Sequence, residues 1–148
     1  TKSETIKNTL HEDPAIQIGK GKVINDGVDK ELDELRAIAF SGKENLDDAV
    51  NFYKEKPYMT AITKGAEGSV VIDKGVEKHA QAEEITPIDT NGAGDMFAGS
   101  FMHAYLQGNN IEACAKFANY ASSKVVETFG PRLSSDGYLK VLNKLKND

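Results

Sequence analysis

Apolar and polar positions follow two different periods along this chain, and the places where the period changes mark its elements. Ile16-Gln17-Ile18 and Lys22-Val23-Ile24 alternate around Gly19-Lys20-Gly21, with the turn signal Asn25-Asp26-Gly27 behind them, which predicts a small β-hairpin. From Asp29 the spacing turns helical: Leu32, Leu35, Ile38 and Ala39 share a face, and Ser41-Gly42 stops the run. Asn45 is placed to cap a second helix, with Asp47 and Asp48 in its first turn, where negative charge suits the helix dipole. Leu46, Ala49, Val50 and Tyr53 form its apolar stripe, and Pro57 ends it. Two β-type runs follow at 58–63 and 69–72, separated by Lys64-Gly65-Ala66-Glu67-Gly68. Asp73-Lys74-Gly75 reads as a turn, after which a polar stretch leads to Ile85-Thr86-Pro87-Ile88. The last third is helical, with stripes at Phe97, Phe101, Ala104 and Tyr105, then at Ile111, Ala115, Ala118, Ser122 and Val125, then at Tyr138, Val141, Leu142 and Leu145. Strands mixed with such helices predict a layered α/β domain with a weakly patterned segment over residues 1–30.

Composition narrows the function classes. The chain has 148 residues, 39% hydrophobic and 28% charged, which is enough for a packed core. No apolar run reaches the ~20 residues of a membrane helix, and Thr1-Lys2-Ser3-Glu4-Thr5 lacks a secretory apolar stretch, so a soluble, cytoplasmic protein is expected. A single cysteine, Cys114, excludes an intramolecular disulfide and a Cys-cluster metal site. The net charge is −5, with both signs spread evenly and no basic cluster interleaved with aromatics. Nucleic acid and anionic membrane surfaces are therefore not expected partners. A small anionic ligand is still compatible, because backbone amides and helix ends bind anions without net basic charge.

The candidate chemistry sits at Asp89-Thr90-Asn91-Gly92-Ala93-Gly94-Asp95. Two glycines let the backbone turn tightly between the apolar run ending at Ile88 and a helix expected to begin about Met96. The amides of Ala93, Gly94 and Asp95 would open that helix, where unpaired N–H groups and the positive dipole end seat a phosphate. A carboxylate at the same place, Asp95, would be a base beside an anion cradle, the arrangement that phosphoryl transfer to an alcohol needs. The structural alternative is that Asp95 is a first-turn acid and the glycines only shape a turn. The string is neither a Walker A loop nor a GxGxxG fingerprint.

The seven-residue string resembles the C-terminal signature of the ribokinase-like (PfkB) family of sugar and nucleoside kinases. Thr63-Lys64-Gly65-Ala66-Glu67-Gly68 is similar to that family's TxGxxG segment. Ala118-Asn119-Tyr120-Ala121-Ser122 and Phe129-Gly130-Pro131-Arg132-Leu133 resemble its bacterial adenosine-kinase-like branch. The resemblance runs from about Leu35 to Leu145. It implies a partial ribokinase-like layered α/β fold with a central, mostly parallel sheet flanked by helices. Residues 31–148 would be the nucleotide-binding, catalytic-loop half of the kinase domain.

For the site, the resemblance implies that Asp95 is the general base and that Gly92, Ala93 and Gly94 form the anion hole. Thr63, Gly65 and Gly68 would border the nucleotide phosphates and ribose. Ala118, Asn119 and Ser122 would flank the adenine. Asp89 and Asn91 would contribute to a monovalent-cation (K⁺) site, and Mg²⁺ would arrive with ATP. The acceptor would be a sugar or nucleoside, with Asn91 and the 130–133 segment tilting by analogy toward nucleosides. Each residue also has a structural reading: Thr63 ends a strand, Asn119 is a surface or interhelix polar group, and Asp89 caps its own turn. Cys114 is expected to be a packing residue.

The family's N-terminal half, with its Gly-Gly signature, substrate-binding acid and lid, has no counterpart here, and residues 1–30 do not resemble the family. Half of such a sheet would expose apolar strand surface unless a missing N-terminal half, a partner chain or a homo-oligomer covers it. Two functions of different class follow. One is an ATP-dependent phosphotransferase that is incomplete in this chain alone. The other is a non-catalytic nucleotide-binding or structural α/β fragment, truncated or engineered.

Overall fold

The computed structural model describes residues 16–18, 21–24 and 37–147. The turn expected at 25–27 and the first part of the helix expected from Asp29, including Leu32 and Leu35, lie outside them. Five strands form one sheet in the order β1 (Ile16–Ile18), β2 (Gly21–Ile24), β3 (Thr60–Thr63), β4 (Ser69–Asp73) and β5 (Val76–Ala80). β1 and β2 pair antiparallel, with Ile16 opposite Val23.

The sheet is the point at which expectation and structure part. Only β2 and β3 run parallel, with Val23 opposite Ala61. β3 and β4 are antiparallel, as are β4 and β5. The reason is connection length: residues 64–68 and the two-residue step at Lys74-Gly75 are too short for the crossover that parallel neighbours require. Lys74 and Gly75 both have positive φ, 49° and 80°, the backbone of a tight hairpin whose twist matches its strands. β5 carries polar residues on much of its length, with Val76 half-exposed, so it reads as a polar linker in the sequence and forms an edge strand in the fold.

Both sheet faces are covered, which is why β3 and β4 are apolar without alternation. One face takes Ile62, Val70 and Ile72 against Ala49, Val50 and Tyr53 of α1 (Leu46–Lys54), with Ala37 of the helical residues 37–41. The Asn45 side chain accepts the Asp48 amide at 2.9 Å, so the cap forms at its expected place. The other face takes Ala61, Val71 and Ala80 against α2 (Ala93–Leu106) and α3 (Ile111–Val126). Phe97, Phe101 and Phe117 fill this second core, and Ala98, Ala104, Ala115, Ala118 and Ala121 let the two helices close on each other. α4 (Ser135–Asn147) packs over it through Val141. Cys114 is fully buried in this core, and burial pushes its thiol up to about 11, so it is a packing residue with no thiolate at neutral pH. Among the described residues no helix is long and apolar enough to cross a membrane.

Candidate functional site

The glycine turn forms because its first glycine alone tolerates the required backbone. Gly92 caps α2 in the left-handed region, φ 80° and ψ −3°. A Cβ there would stand 2.5 Å from the Pro131 carbonyl oxygen, so the 130–131 backbone lies directly on the turn. α2 therefore begins at Ala93, three residues earlier than the apolar pattern indicates. The Ala93 amide is satisfied by the Thr90 carbonyl at 3.3 Å, and the ladder resumes with the Met96 amide on the Gly92 carbonyl at 2.9 Å. Among the described residues the amides of Gly94 and Asp95 have no acceptor. Of the expected 92–94 donors, the Ala93 amide is thus engaged within the turn, and the Asp95 amide adds an open donor beyond Gly94.

Asp95 occupies the third helical position and is exposed. It makes no reciprocal bond to the cap, and among the described residues it has no ion pair or hydrogen bond. Its carboxylate lines a cleft of about 550 Å³. The cleft runs along α2 from Asp95 to His103 and is closed by Phe117 of α3, by Pro131 and Arg132, and by Tyr138 and Val141 of α4.

Asp89 holds the turn. Its Oδ1 accepts the Asn91 amide at 3.0 Å and its Oδ2 accepts the Gly130 amide at 3.0 Å, joining two segments 41 positions apart. These two backbone donors hold its carboxyl below the usual carboxylate range. Each oxygen thus accepts one N–H group and keeps a second lone pair. The turn-capping reading of Asp89 is the one the geometry carries. Among the described residues no group of three or more His, Cys, Asp and Glu side chains is placed to hold a metal.

The other expected residues sit elsewhere. Thr63 ends β3, and Gly65 and Gly68 bound a single 3-10 turn at 65–67. Gly68 is buried with φ 89°, pressed against the backbone of 80–82. Ala118 is fully buried and Asn119 is 6% exposed, so neither offers a surface to an adenine ring. The Asn119 amide instead donates to the carbonyls of Ala80 at 2.8 Å and Gln81 at 3.3 Å, tying α3 to the end of β5. Ser122 donates to the Ala93 carbonyl at 3.0 Å, which fixes the first turn of α2 against α3. Asp95, Gly92 and Pro131-Arg132 line one cleft, which Thr63, Gly65 and Gly68 do not; Gly68 backs instead on 80–82, the segment Asn119 ties to α3. The 130–133 segment stands out in the sequence only by resemblance; that Pro131 and Arg132 wall the cleft beside Gly92 depends on a contact across some forty positions, for which the sequence carries no local signal.

Comparison with known proteins follows the same lines. The pfkB family carbohydrate kinase domain matches residues 29–136. Adenosine kinase 1 of Arabidopsis thaliana is 35% identical over 103 residues, 68% of this chain and 29% of that protein. Ribokinase of Staphylococcus aureus strain COL is 29% identical over 106 residues, 70% of this chain and 35% of that protein. The crystal structure of adenosine kinase from Sinorhizobium meliloti superposes with a TM-score of 0.69 at 28% identity, over 75% of this chain and 34% of the other. The chain spans about a third of the length of these relatives.

Proposed function

This chain belongs to the pfkB carbohydrate kinase family, and from that premise we propose that its glycine turn and Asp95 serve phosphoryl transfer from ATP to a hydroxyl of a sugar or nucleoside. The observation that carries the proposal is the Asp95 carboxylate, unpaired among the described residues, one helical turn from the cap and beside the amides of Gly94 and Asp95, in a cleft large enough for a small molecule.

In this reading the N–H groups of Gly94 and Asp95, with the positive end of α2, hold phosphate oxygens of the nucleotide. The Asp95 carboxylate takes the proton of the acceptor O–H. The acceptor oxygen forms its bond to the γ-phosphorus as the bond from that phosphorus to the β,γ-bridging oxygen breaks, and ADP leaves with the electron pair. Mg²⁺, arriving with the nucleotide, would supply neutralisation of phosphate charge. Asp95 is the one acidic side chain among the described residues that line the cleft, so the phosphates themselves would hold most of the ion's ligand positions. Asp89 and Ser122 act as positioning residues for the turn, and Asn119 and Gly68 set the 80–82 segment.

The test is a turnover assay with Mg·ATP over adenosine, ribose and fructose. Asp95→Asn is expected to lower turnover about 10²-fold or more, the usual scale of a general base, with affinity for Mg·ATP held within a few-fold. Turnover indifferent to Asp95 would defeat the assignment. A second reading draws on the coverage of about a third of the relatives: a nucleotide-binding module without transfer activity of its own. It is favoured by nucleotide binding with no turnover on any acceptor.

A further inference from the structure

Resting on that kinase reading, we propose that Arg132 is a phosphate-binding residue of the cleft, set there by the contact between Pro131 and Gly92. Gly92 and Pro131 touch backbone to backbone, and the Gly130 amide is held by Asp89 Oδ2 at 3.0 Å. The step to Arg132 is thereby fixed against the phosphate seat from two sides. Arg132 is exposed, lines the same cleft as Gly92 and Asp95, and has no ion pair or hydrogen bond among the described residues.

A guanidinium and a carboxylate thus face one cavity, and among the described residues neither is neutralised by the other or by a third group. Opposite charges left apart in this way suit a ligand that brings both an anionic group and a proton to give up. The chemistry asks for such a cation. The Asp95 carboxylate stands beside the incoming phosphates and repels them, and two amide donors offset only part of that charge. Arg132 is the one Lys or Arg among the cleft's lining residues. His103, the other basic group on the wall, lies eight residues along α2 from Asp95, about 12 Å at the rise of a helix, and is too distant to share a phosphate with the turn. A guanidinium donates two parallel N–H bonds to phosphate oxygens, stays protonated throughout and forms no covalent bond.

Calorimetric titration of the whole chain with Mg·ATP tests this. Arg132→Gln is expected to weaken binding about tenfold or more, with Arg132→Lys intermediate, since an ammonium restores charge but not the paired donors. Lys140→Gln, the same charge change on an exposed residue of α4 outside the cleft lining, is expected to bind as the wild type does. Binding by the wild type is also expected to fall more steeply with added KCl than binding by Arg132→Gln. Wild-type affinity in Arg132→Gln, an Arg132→Lys no better than Arg132→Gln, or equal salt slopes would overturn the role of Arg132 and leave the kinase reading standing. A wild-type chain that binds no Mg·ATP would overturn both.

Discussion

Gly68→Ala is expected to lower the stability of the fold by about 4 kcal/mol, a large share of the 5–15 kcal/mol that holds an ordinary domain together. Two costs combine. Gly68 has φ 89° and ψ −130°, a backbone region that L-residues enter only under strain of about 1–3 kcal/mol. Its Cβ would also stand 2.0 Å from the Ala80 carbonyl oxygen, 2.7 Å from the Ala82 nitrogen and 2.8 Å from the Gln81 carbonyl carbon. All three neighbours are backbone, and they are pinned: Ser69 pairs with Ala80 in the sheet, and the Asn119 amide holds the carbonyls of Ala80 and Gln81. Relief therefore means opening the β4–β5 ladder or releasing α3, with an overpacking cost of about 1–3 kcal/mol on top of the strain. Unfolding followed by circular dichroism should show a midpoint lowered by about 10–15 °C for a chain of this size. The matched control is Gly99→Ala, in an exposed position of α2 where a Cβ meets nothing within 4 Å. It is expected to gain about 0.5–1 kcal/mol from helix propensity. Equal midpoints for the two variants would mean that the 68–80 contact does not exist as described.

Gly92→Ala is expected to cost about 3 kcal/mol and, beyond that, to remove Mg·ATP binding from a protein that still folds. Here too φ is 80°, and the new Cβ would meet Pro131 at 2.5 Å from its carbonyl oxygen and 2.8 Å from its Cα and Cβ. The obstacle differs in kind. Pro131 and Arg132 are exposed, Gly130 is half-buried, and the Gly130–Asp89 bond holds the segment to the turn, so it can move away at the expense of that bond. The α2–α3 core around Phe97, Phe101 and Ala118 does not depend on the segment and should persist. Displacement would open the cleft, carry Arg132 off the phosphate seat and loosen the first turn of α2. A Gly92→Ala chain with native-like unfolding and nucleotide affinity within a few-fold of the wild type would separate the turn from nucleotide binding.

The features legible in the sequence are those set by residues close together in it. The Asn45 cap needs only Asp48, three positions on, and the Lys74-Gly75 turn needs only positive φ at adjacent residues. The glycine turn was legible for the same reason, because tight turning and a helix start are properties of seven consecutive residues. Direction within the sheet was expected from resemblance to a whole kinase domain. The short links at 64–68 and 74–75, visible in the sequence, decide for antiparallel pairing instead. β5 escaped notice because an exposed edge strand needs no apolar alternation.

Long-range polar contacts had no local signal at all. Asp89 finds Gly130 41 positions away, and Asn119 finds Ala80 39 positions away. Each is an ordinary polar residue until the fold brings its partner. For Ala118 and Asn119 the structure replaces an expected ligand contact with packing and a backbone tie, because the face of α3 that carries them turns toward the sheet. Among the described residues the candidate site is better defined: the amides of Gly94 and Asp95 without an acceptor, and the Asp95 carboxylate and Arg132 guanidinium without a partner, around one cleft.

The central claim is that the start of α2 seats nucleotide phosphates beside Asp95, and backbone amide chemical shifts of the ¹⁵N-labelled chain during titration with Mg·ATP test it most directly. The account predicts that the amides of Gly94 and Asp95 shift most, that they do so saturably, and that those of the exposed face of α4 stay in place. Saturation that moves other amides while leaving Gly94 and Asp95 untouched, or a spectrum unchanged throughout the titration, would contradict it.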